Sequence, residues 1–250
     1  SLALDKDGNV YAWGYNGYGN LGLGDTNTRT LPVKVQALEK ITKIEVEKGQ
    51  EGKKIKIETI NGNVFINLDK NNNIIYYQND TVKKIADGFM QYNVTLCNLK
   101  LPQVQIIGYN FLRNNKALET IELPECKKIE RSFLEKNINI KSVYLPQVQI
   151  IGSCFLRNNR ALETIELPEC REIGRFFLEN NANIKSVYLP QVQIIGRWGL
   201  SHNKALETIE LPECREIEDR FLEYNENIKN VSLPEVLILP PNLEKKIQIQ

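Results

Sequence analysis

The pattern of apolar and polar positions repeats every 22 residues along most of the chain. A Leu-Pro dipeptide recurs at that spacing, and when its Leu is counted as position 1, position 7 is Ile, position 12 is Leu and position 15 is Asn. The Leu residues that begin the units are Leu101, Leu123, Leu145, Leu167, Leu189, Leu211 and Leu233. A fixed period of this length predicts a solenoid, in which each unit packs on its neighbours.

Each unit ends in a short stretch where apolar and polar residues alternate, as in Glu119–Leu123 and Lys141–Leu145. Alternation predicts a half-buried β-strand, and the Pro that follows ends the strand because it has no backbone N–H. We expect the stretch between strands to contain a turn or two of α- or 3₁₀-helix at Phe111-Leu112 and its equivalents. Burial of the apolar residues of one unit contributes about 10–20 kcal/mol. Since ordering a residue costs about 1–2 kcal/mol, a single unit cannot fold alone.

Two polar positions of the repeat have predicted structural roles. Asn115 and its equivalents at position 15 are expected to form a buried ladder that satisfies backbone groups of the turns. Three cysteines fall at position 4, where the other units have Val; they are Cys126, Cys170 and Cys214. Because they lie two units apart, about 9–10 Å at the usual strand spacing, disulfide bonds between them are excluded and free core thiols are expected.

The first hundred residues have a different pattern. Short alternating stretches surround the turn dipeptides Asp7-Gly8 and Asn61-Gly62, which predicts antiparallel hairpins. The segment around Trp13 carries a dense set of glycines in the order W-G-x-N-x-x-G-x-L-G-x-G-D. The matching residues are Trp13, Gly14, Asn16, Gly19, Leu21, Gly22, Gly24 and Asp25.

Both halves resemble known families. Residues 2–35 resemble one repeat of the regulator of chromosome condensation family, which implies a propeller blade, and residues 82–88 are similar to that family's blade-closing segment. Residues 99–236 resemble leucine-rich repeats of the bacterial surface-antigen (BspA-like) type. Because one blade cannot close a propeller, we expect either that more blades precede Ser1 in the intact protein or that this module caps the solenoid.

The sequence therefore predicts a mostly β fold of the α/β-solenoid type. We expect a right-handed leucine-rich-repeat solenoid of about six units with a parallel sheet, capped at its N-terminus by a small antiparallel β module. The predicted domains are residues 1–95, with a partial propeller-like repeat and β cap, and residues 96–250, with the solenoid and a C-terminal cap strand.

The candidate partner-binding residues lie mainly at position 22, whose side chains the surface-antigen resemblance places on the open face of the sheet. Alternating Glu and Lys at position 19 predict a cross-strand charge ladder. Trp198 and His202 are candidates because the unit that contains them departs from its siblings, with Gly199 replacing Phe; alternatively, Trp198 repacks the space that Gly199 leaves. The strand candidates at position 22 are Glu122, Tyr144, Glu166, Tyr188 and Glu210.

Composition argues against several other functions. The net charge of +1 gives no electrostatic reason to expect nucleic acid or an anionic membrane, and no apolar run is long enough to span a bilayer. With one His, the sequence predicts no catalytic, cofactor or metal site. Gly17–Gly22 matches G-x-G-x-x-G without a following helix, and Asp5–Asn9 lacks further calcium ligands, so both are interpreted as turns.

We therefore expect a non-enzymatic scaffold that binds an unknown protein or extended ligand. A second hypothesis is an architectural spacer that carries a domain outside this sequence, and a third is a propeller-type regulator of a small GTPase. The expected location is either the bacterial cell surface or secreted, or the cytoplasm.

Overall fold

The computed structural model describes residues 1–7, 9–16, 21, 27–35, 41–59 and 61–234. Within these ranges all regular elements are β-strands. The predicted C-terminal cap strand and the Gly17–Gly22 motif lie outside the described residues, apart from Leu21 in the motif.

A small antiparallel sheet opens the chain. Its strands, in the order β1-β2-β3, are β1 (Leu2–Leu4), β2 (Val10–Gly14) and β3 (Arg29–Lys34). The β1–β2 turn is held by Asp5, whose carboxylate accepts hydrogen bonds from the backbone N–H groups of Asp7 and Asn9 and from the Asn9 amide. This turn confirms the predicted hairpin, and its hydrogen bonds engage both oxygens of the Asp5 carboxylate.

A four-stranded antiparallel meander follows, with strands β4 (Ile41–Gly49), β5 (Gly52–Thr59), β6 (Gly62–Leu68) and β7 (Ile74–Asn79). Asp69 closes the β6–β7 turn with the same hydrogen bonds that Asp5 makes, to Asn71 and Asn73. Since the last meander strand pairs in parallel with the first strand of the solenoid face, through Tyr77 and Leu99, the meander covers the end of the solenoid. The predicted antiparallel β module is therefore confirmed.

The solenoid consists of two- and three-residue strands in strict alternation. They are β8 (Lys84–Ile85), β9 (Asn98–Lys100), β10 (Ile106–Ile107), β11 (Thr120–Glu122), β12 (Lys128–Ile129), β13 (Ser142–Tyr144), β14 (Ile150–Ile151), β15 (Thr164–Glu166), β16 (Glu172–Ile173), β17 (Ser186–Tyr188), β18 (Ile194–Ile195), β19 (Thr208–Glu210), β20 (Glu216–Ile217) and β21 (Asn230–Ser232).

The two strand classes form two faces of stacked coils. The two-residue strands build one continuous seven-stranded parallel sheet from β8 to β20, and each residue pairs with its equivalent one repeat away, as Ile107 does with Ile129. The three-residue strands build the opposite face, where β11 pairs with β13 and β15 to β21 form a four-stranded sheet. This parallel register confirms the predicted stacking of successive units.

The structure contains a coil that the Leu-Pro pattern missed. Residues 79–100 form a complete first coil, in which β8 pairs in parallel with β10, and Ile85 and Phe89 occupy positions 7 and 11. The interpretation of residues 82–88 as a blade-closing segment is therefore wrong, and the described residues form seven coils. We number them coil 1 (79–100), coil 2 (101–122), coil 3 (123–144), coil 4 (145–166), coil 5 (167–188), coil 6 (189–210) and coil 7 (211–232). The division into domains at residue 95 stays a prediction, although the stacking begins before it.

The core of the solenoid is a column of apolar side chains that runs through all described coils. Its centre is a stack of phenylalanine rings at position 11, with centroids 5.2–5.7 Å apart and nearly parallel planes. The stacked rings belong to Phe89, Phe111, Phe133, Phe155 and Phe177. The position-4 cysteines are buried in this core with free thiols, as predicted.

The segments around position 12 are turns, so the predicted helix at Phe111-Leu112 is wrong. In coil 2, Asn110, Leu112 and Asn114 have φ angles of 56°, 51° and 61°, which a right-handed helix does not allow. The backbone N–H of Leu112 donates to Phe89 of the preceding coil, whereas Asn110 and Asn114 donate to Arg131 and Glu135 of the next coil. Bonds between coils therefore hold these turns, together with two turn bonds within the segment, from Arg113 to Asn110 and from Asn115 to Leu112.

The predicted asparagine ladder is confirmed. The buried amide of Asn137 donates to the Leu112 carbonyl of the preceding coil at 2.9 Å, and Asn159 donates to Leu134 at 3.1 Å. In coil 2 the Asn115 side-chain oxygen also accepts from the backbone N–H groups of Ala117 and Leu118. Each side chain therefore satisfies turn groups that face away from water.

Candidate binding surfaces

The strand candidates form one exposed row across the three-residue strands, which we call the Glu–Tyr row. Strand pairing sets Glu122 beside Tyr144, Glu166 beside Tyr188, and Tyr188 beside Glu210. Tyr144 and Tyr188 each leave 54% of their surface exposed. The row consists of Glu122, Tyr144, Glu166, Tyr188 and Glu210, all of which are exposed.

The buried neighbours of the row hold it in place. Ile121, Val143 and their equivalents point into the core from the middle of each strand, so the flanking residues must face solvent. The backbone of Tyr144 is fixed as well, since its carbonyl accepts a 3.0 Å hydrogen bond from Leu123. The row therefore presents its aromatic rings on a rigid backbone.

A second row, at position 19, has its charges neutralised. Three ion pairs join neighbouring coils at 2.7–2.8 Å, and they are Lys141–Glu119, Lys185–Glu163 and Lys229–Glu207. This is the predicted charge ladder. No ion pair among the described residues includes Glu122, Glu166 or Glu210. The Glu–Tyr row therefore carries three carboxylates that form no ion pair among the described residues, and the exposed Lys100 occupies position 22 of the adjacent coil 1.

Trp198 and His202 lie on a different surface, in the turn segment of coil 6. The Trp198 ring stacks with His202 at 6.2 Å between centroids and with Tyr224 of coil 7 at 6.4 Å, and the Arg220 guanidinium lies 4.6 Å from its centroid. We call these four residues the turn cluster. The structure therefore divides the candidate residues between two surfaces.

Trp198 does not fill the space left by Gly199, so the alternative interpretation of Trp198 as a core residue is wrong. Its half-buried ring packs in the turn cluster. A Cβ at Gly199 would lie 2.7 Å from Ile195 Cγ2 and 3.3 Å from Phe221 Cδ2, which shows that neighbouring core side chains close over the glycine.

Family models match both parts of the chain. A model of the BspA type leucine rich repeat region (6 copies) matches residues 38–162 and 127–241. The chain belongs to the BspA-type leucine-rich repeat family. A model of the regulator of chromosome condensation (RCC1) repeat matches residues 7–46. No solved structure matches the chain. BspA-type repeats are associated with bacterial surface proteins and typically form non-catalytic scaffolds for protein interaction.

Within the described part of this BspA-type chain, the titratable groups form no cluster that could hold a metal ion. Burial raises the pKa of the Cys126 and Cys170 thiols to about 12, so neither is a nucleophile near neutral pH. In the same described ranges, no helix has the length and apolarity needed to cross a membrane.

Sequence reasoning on the BspA-type repeats missed Arg220 and Tyr224 of the turn cluster. They occupy positions 10 and 14 of coil 7, and Trp198 and His202 occupy the same positions of coil 6. Comparison of the two positions between neighbouring units could have found them, because stacked coils bring equivalent residues into contact.

Proposed function

We propose that the chain is a non-catalytic recognition module of a bacterial surface protein and that it binds a protein or other extended ligand through the Glu–Tyr row. The supporting observation is the pair Tyr144 and Tyr188, which are half exposed on strands whose backbone is fixed by pairing and core packing. A tyrosine on a fixed backbone has few rotatable bonds, so it loses little conformational entropy on binding and contributes a large apolar area. The turn cluster is proposed as a separate contact surface.

The test is partner capture with matched variants. The full chain is immobilised, bound proteins are quantified by mass spectrometry, and the wild type is compared with the double variant Tyr144→Ala/Tyr188→Ala. Loss of a partner without a change in melting temperature supports the proposal, since both rings are exposed and contribute little to stability.

The control is the double variant Tyr92→Ala/Tyr109→Ala. These tyrosines are exposed by 49% and 47%, but they lie in the turn segments. If the control loses the same partner, the effect is not specific to the row. If no partner depends on the row, the architectural spacer becomes the better hypothesis. The variant Trp198→Ala/His202→Ala tests the turn cluster in the same assay.

A further inference from the structure

We infer that the Glu–Tyr row binds a cationic peptide in the polyproline II conformation, with an apolar residue, ideally Pro, at every third position and Lys or Arg between. This inference rests on the proposed function and names its ligand. It depends on the spacing of the row and on its charge.

The spacing of the row follows from strand pairing. Hydrogen-bonded strands lie about 4.7–4.9 Å apart, so equivalent side chains two coils apart are separated by about 9.4–9.8 Å. Tyr144 and Tyr188 are two coils apart, as are Glu166 and Glu210. The sheet that carries the row is interrupted between β13 and β15. The continuous seven-stranded sheet on the opposite face maintains the register of the coils across this interruption.

Among extended peptides, the polyproline II helix fits this distance. It has three residues per turn and rises about 3.1 Å per residue, so the same side of the peptide returns every ~9.3 Å. A β-strand returns the same side every ~6.6 Å, and the residue three positions further on, at ~9.9 Å, points the opposite way. Two turns of an α-helix advance about 10.8 Å, so an α-helix would be displaced by about 2 Å relative to the row between Glu122 and Glu210.

The chemistry of the row supports the same ligand. Tyrosine rings on a firm surface pack against proline rings, and a polyproline helix loses little entropy on binding because it is already ordered. Between and beside the tyrosines stand Glu122, Glu166 and Glu210, which make no ion pair with described residues. Since a Lys or Arg at an intervening position of the peptide can reach these carboxylates, the charges of ligand and row are complementary.

The experiment measures fluorescence anisotropy of the full chain with labelled twelve-residue peptides. A peptide of four Pro-Pro-Lys triplets is compared with four Gly-Gly-Lys triplets, which keep the charge, and with four Pro-Pro-Glu triplets, which keep the conformation. We expect the first peptide to bind at least about tenfold more tightly than either of the others, and to weaken as salt rises. Equal binding of the two lysine peptides would overturn the inference, because charge alone would then be recognised.

A swap variant tests the spacing itself. Tyr144→Glu combined with Glu166→Tyr keeps the composition and net charge of the row but places the two tyrosines on adjacent coils, about 4.8 Å apart. The Pro-Pro-Lys peptide should lose about tenfold in affinity, whereas Tyr92→Ala/Tyr109→Ala should leave its affinity unchanged. Unchanged affinity of the swap variant contradicts the inference.

The two proposals fail separately. If a partner is captured through Tyr144 and Tyr188 while no Pro-Pro-Lys peptide binds, the proposed function stands and the polyproline inference is wrong. If the peptide binds equally well to the wild type, to Tyr144→Ala/Tyr188→Ala and to the swap variant, the inference is also contradicted, since the peptide then contacts another surface.

Discussion

At the scale of single residues, the solenoid depends on polar side chains buried between coils. The amide of Asn159 donates to the Leu134 carbonyl of the preceding coil at 3.1 Å, and both residues are fully buried. Without this donor the buried Leu134 carbonyl would keep only a 3.4 Å hydrogen bond from the Asn137 backbone N–H, and water could not replace the lost one. The ladder thus makes each coil depend on its neighbour.

We expect Asn159→Ala to lower the free energy of unfolding by about 1–3 kcal/mol, because the Leu134 carbonyl loses its side-chain donor. Urea denaturation followed by circular dichroism measures this loss. Asn183→Ala is the control, since the exposed Asn183 amide donates to the Arg160 carbonyl at the surface, where water can replace it. Equal losses in the two variants would contradict a role for burial.

The cysteines differ in reactivity because burial differs. Cys97 is exposed, whereas the thiol pKa of Cys126 is raised to about 12 by burial, as is that of Cys170. Cys154 and Cys214 are buried as well, so the folded chain shields four of its five thiols from a reagent in solution. Iodoacetamide should therefore modify Cys97 alone in the native chain and all five cysteines after unfolding, as measured by intact mass. Rapid modification of native Cys126 would contradict its placement in the core.

At the scale of elements, the phenylalanine stack contains one position where the 22-residue repeat pattern does not predict the packing. Gly199 stands at position 11 of coil 6, where other units have Phe, and the repeat consensus alone would predict that Phe stabilises this site. In the structure the space is closed by Ile195 and Phe221.

We expect Gly199→Phe to destabilise the chain by about 1–3 kcal/mol, because a ring at this site overpacks the core. Thermal and urea unfolding measure the change. Gly199→Ala serves as the control and should cost less, since it adds a single methyl group beside Ile195 and Phe221 instead of a whole ring. A rise in stability of the Phe variant would show that the core has room for the ring.

Most of the solenoid was predictable because its strands follow apolar periodicity. Coil 1 was missed because Asn79 and Asp80 replace Leu-Pro, although Val82, Ile85 and Phe89 keep the phase of the repeat. The turns were predicted incorrectly because residues such as Leu112 rarely adopt positive φ, and only hydrogen bonds to both neighbouring coils stabilise that conformation. The position of the Glu–Tyr row was implied by the surface-antigen resemblance together with the alternation of each strand, whereas the turn cluster required contacts between coils.

At the scale of the whole molecule, the structural repeat is one coil but the chemical repeat is two. Glu alternates with Lys at position 19, Glu with Tyr at position 22, and Val with Cys at position 4 through coils 2 to 7, apart from Ser232. Because of this alternation, equivalent like charges and equivalent thiols never stand on adjacent coils.

Deletion of one coil should break this alternation, whereas deletion of two should preserve it. Without residues 145–166, Cys126 and Cys170 fall on adjacent coils, with Cα atoms about 4.7–4.9 Å apart, a distance that a disulfide can span. When the reduced, unfolded protein refolds with oxidised glutathione, peptide mapping should find a Cys126–Cys170 disulfide. Without residues 145–188, Cys126 and Cys214 stay two coils apart, and no disulfide should join them. Absence of the Cys126–Cys170 disulfide in the one-coil deletion, with its β-sheet circular dichroism retained, would contradict the adjacent stacking of equivalent residues.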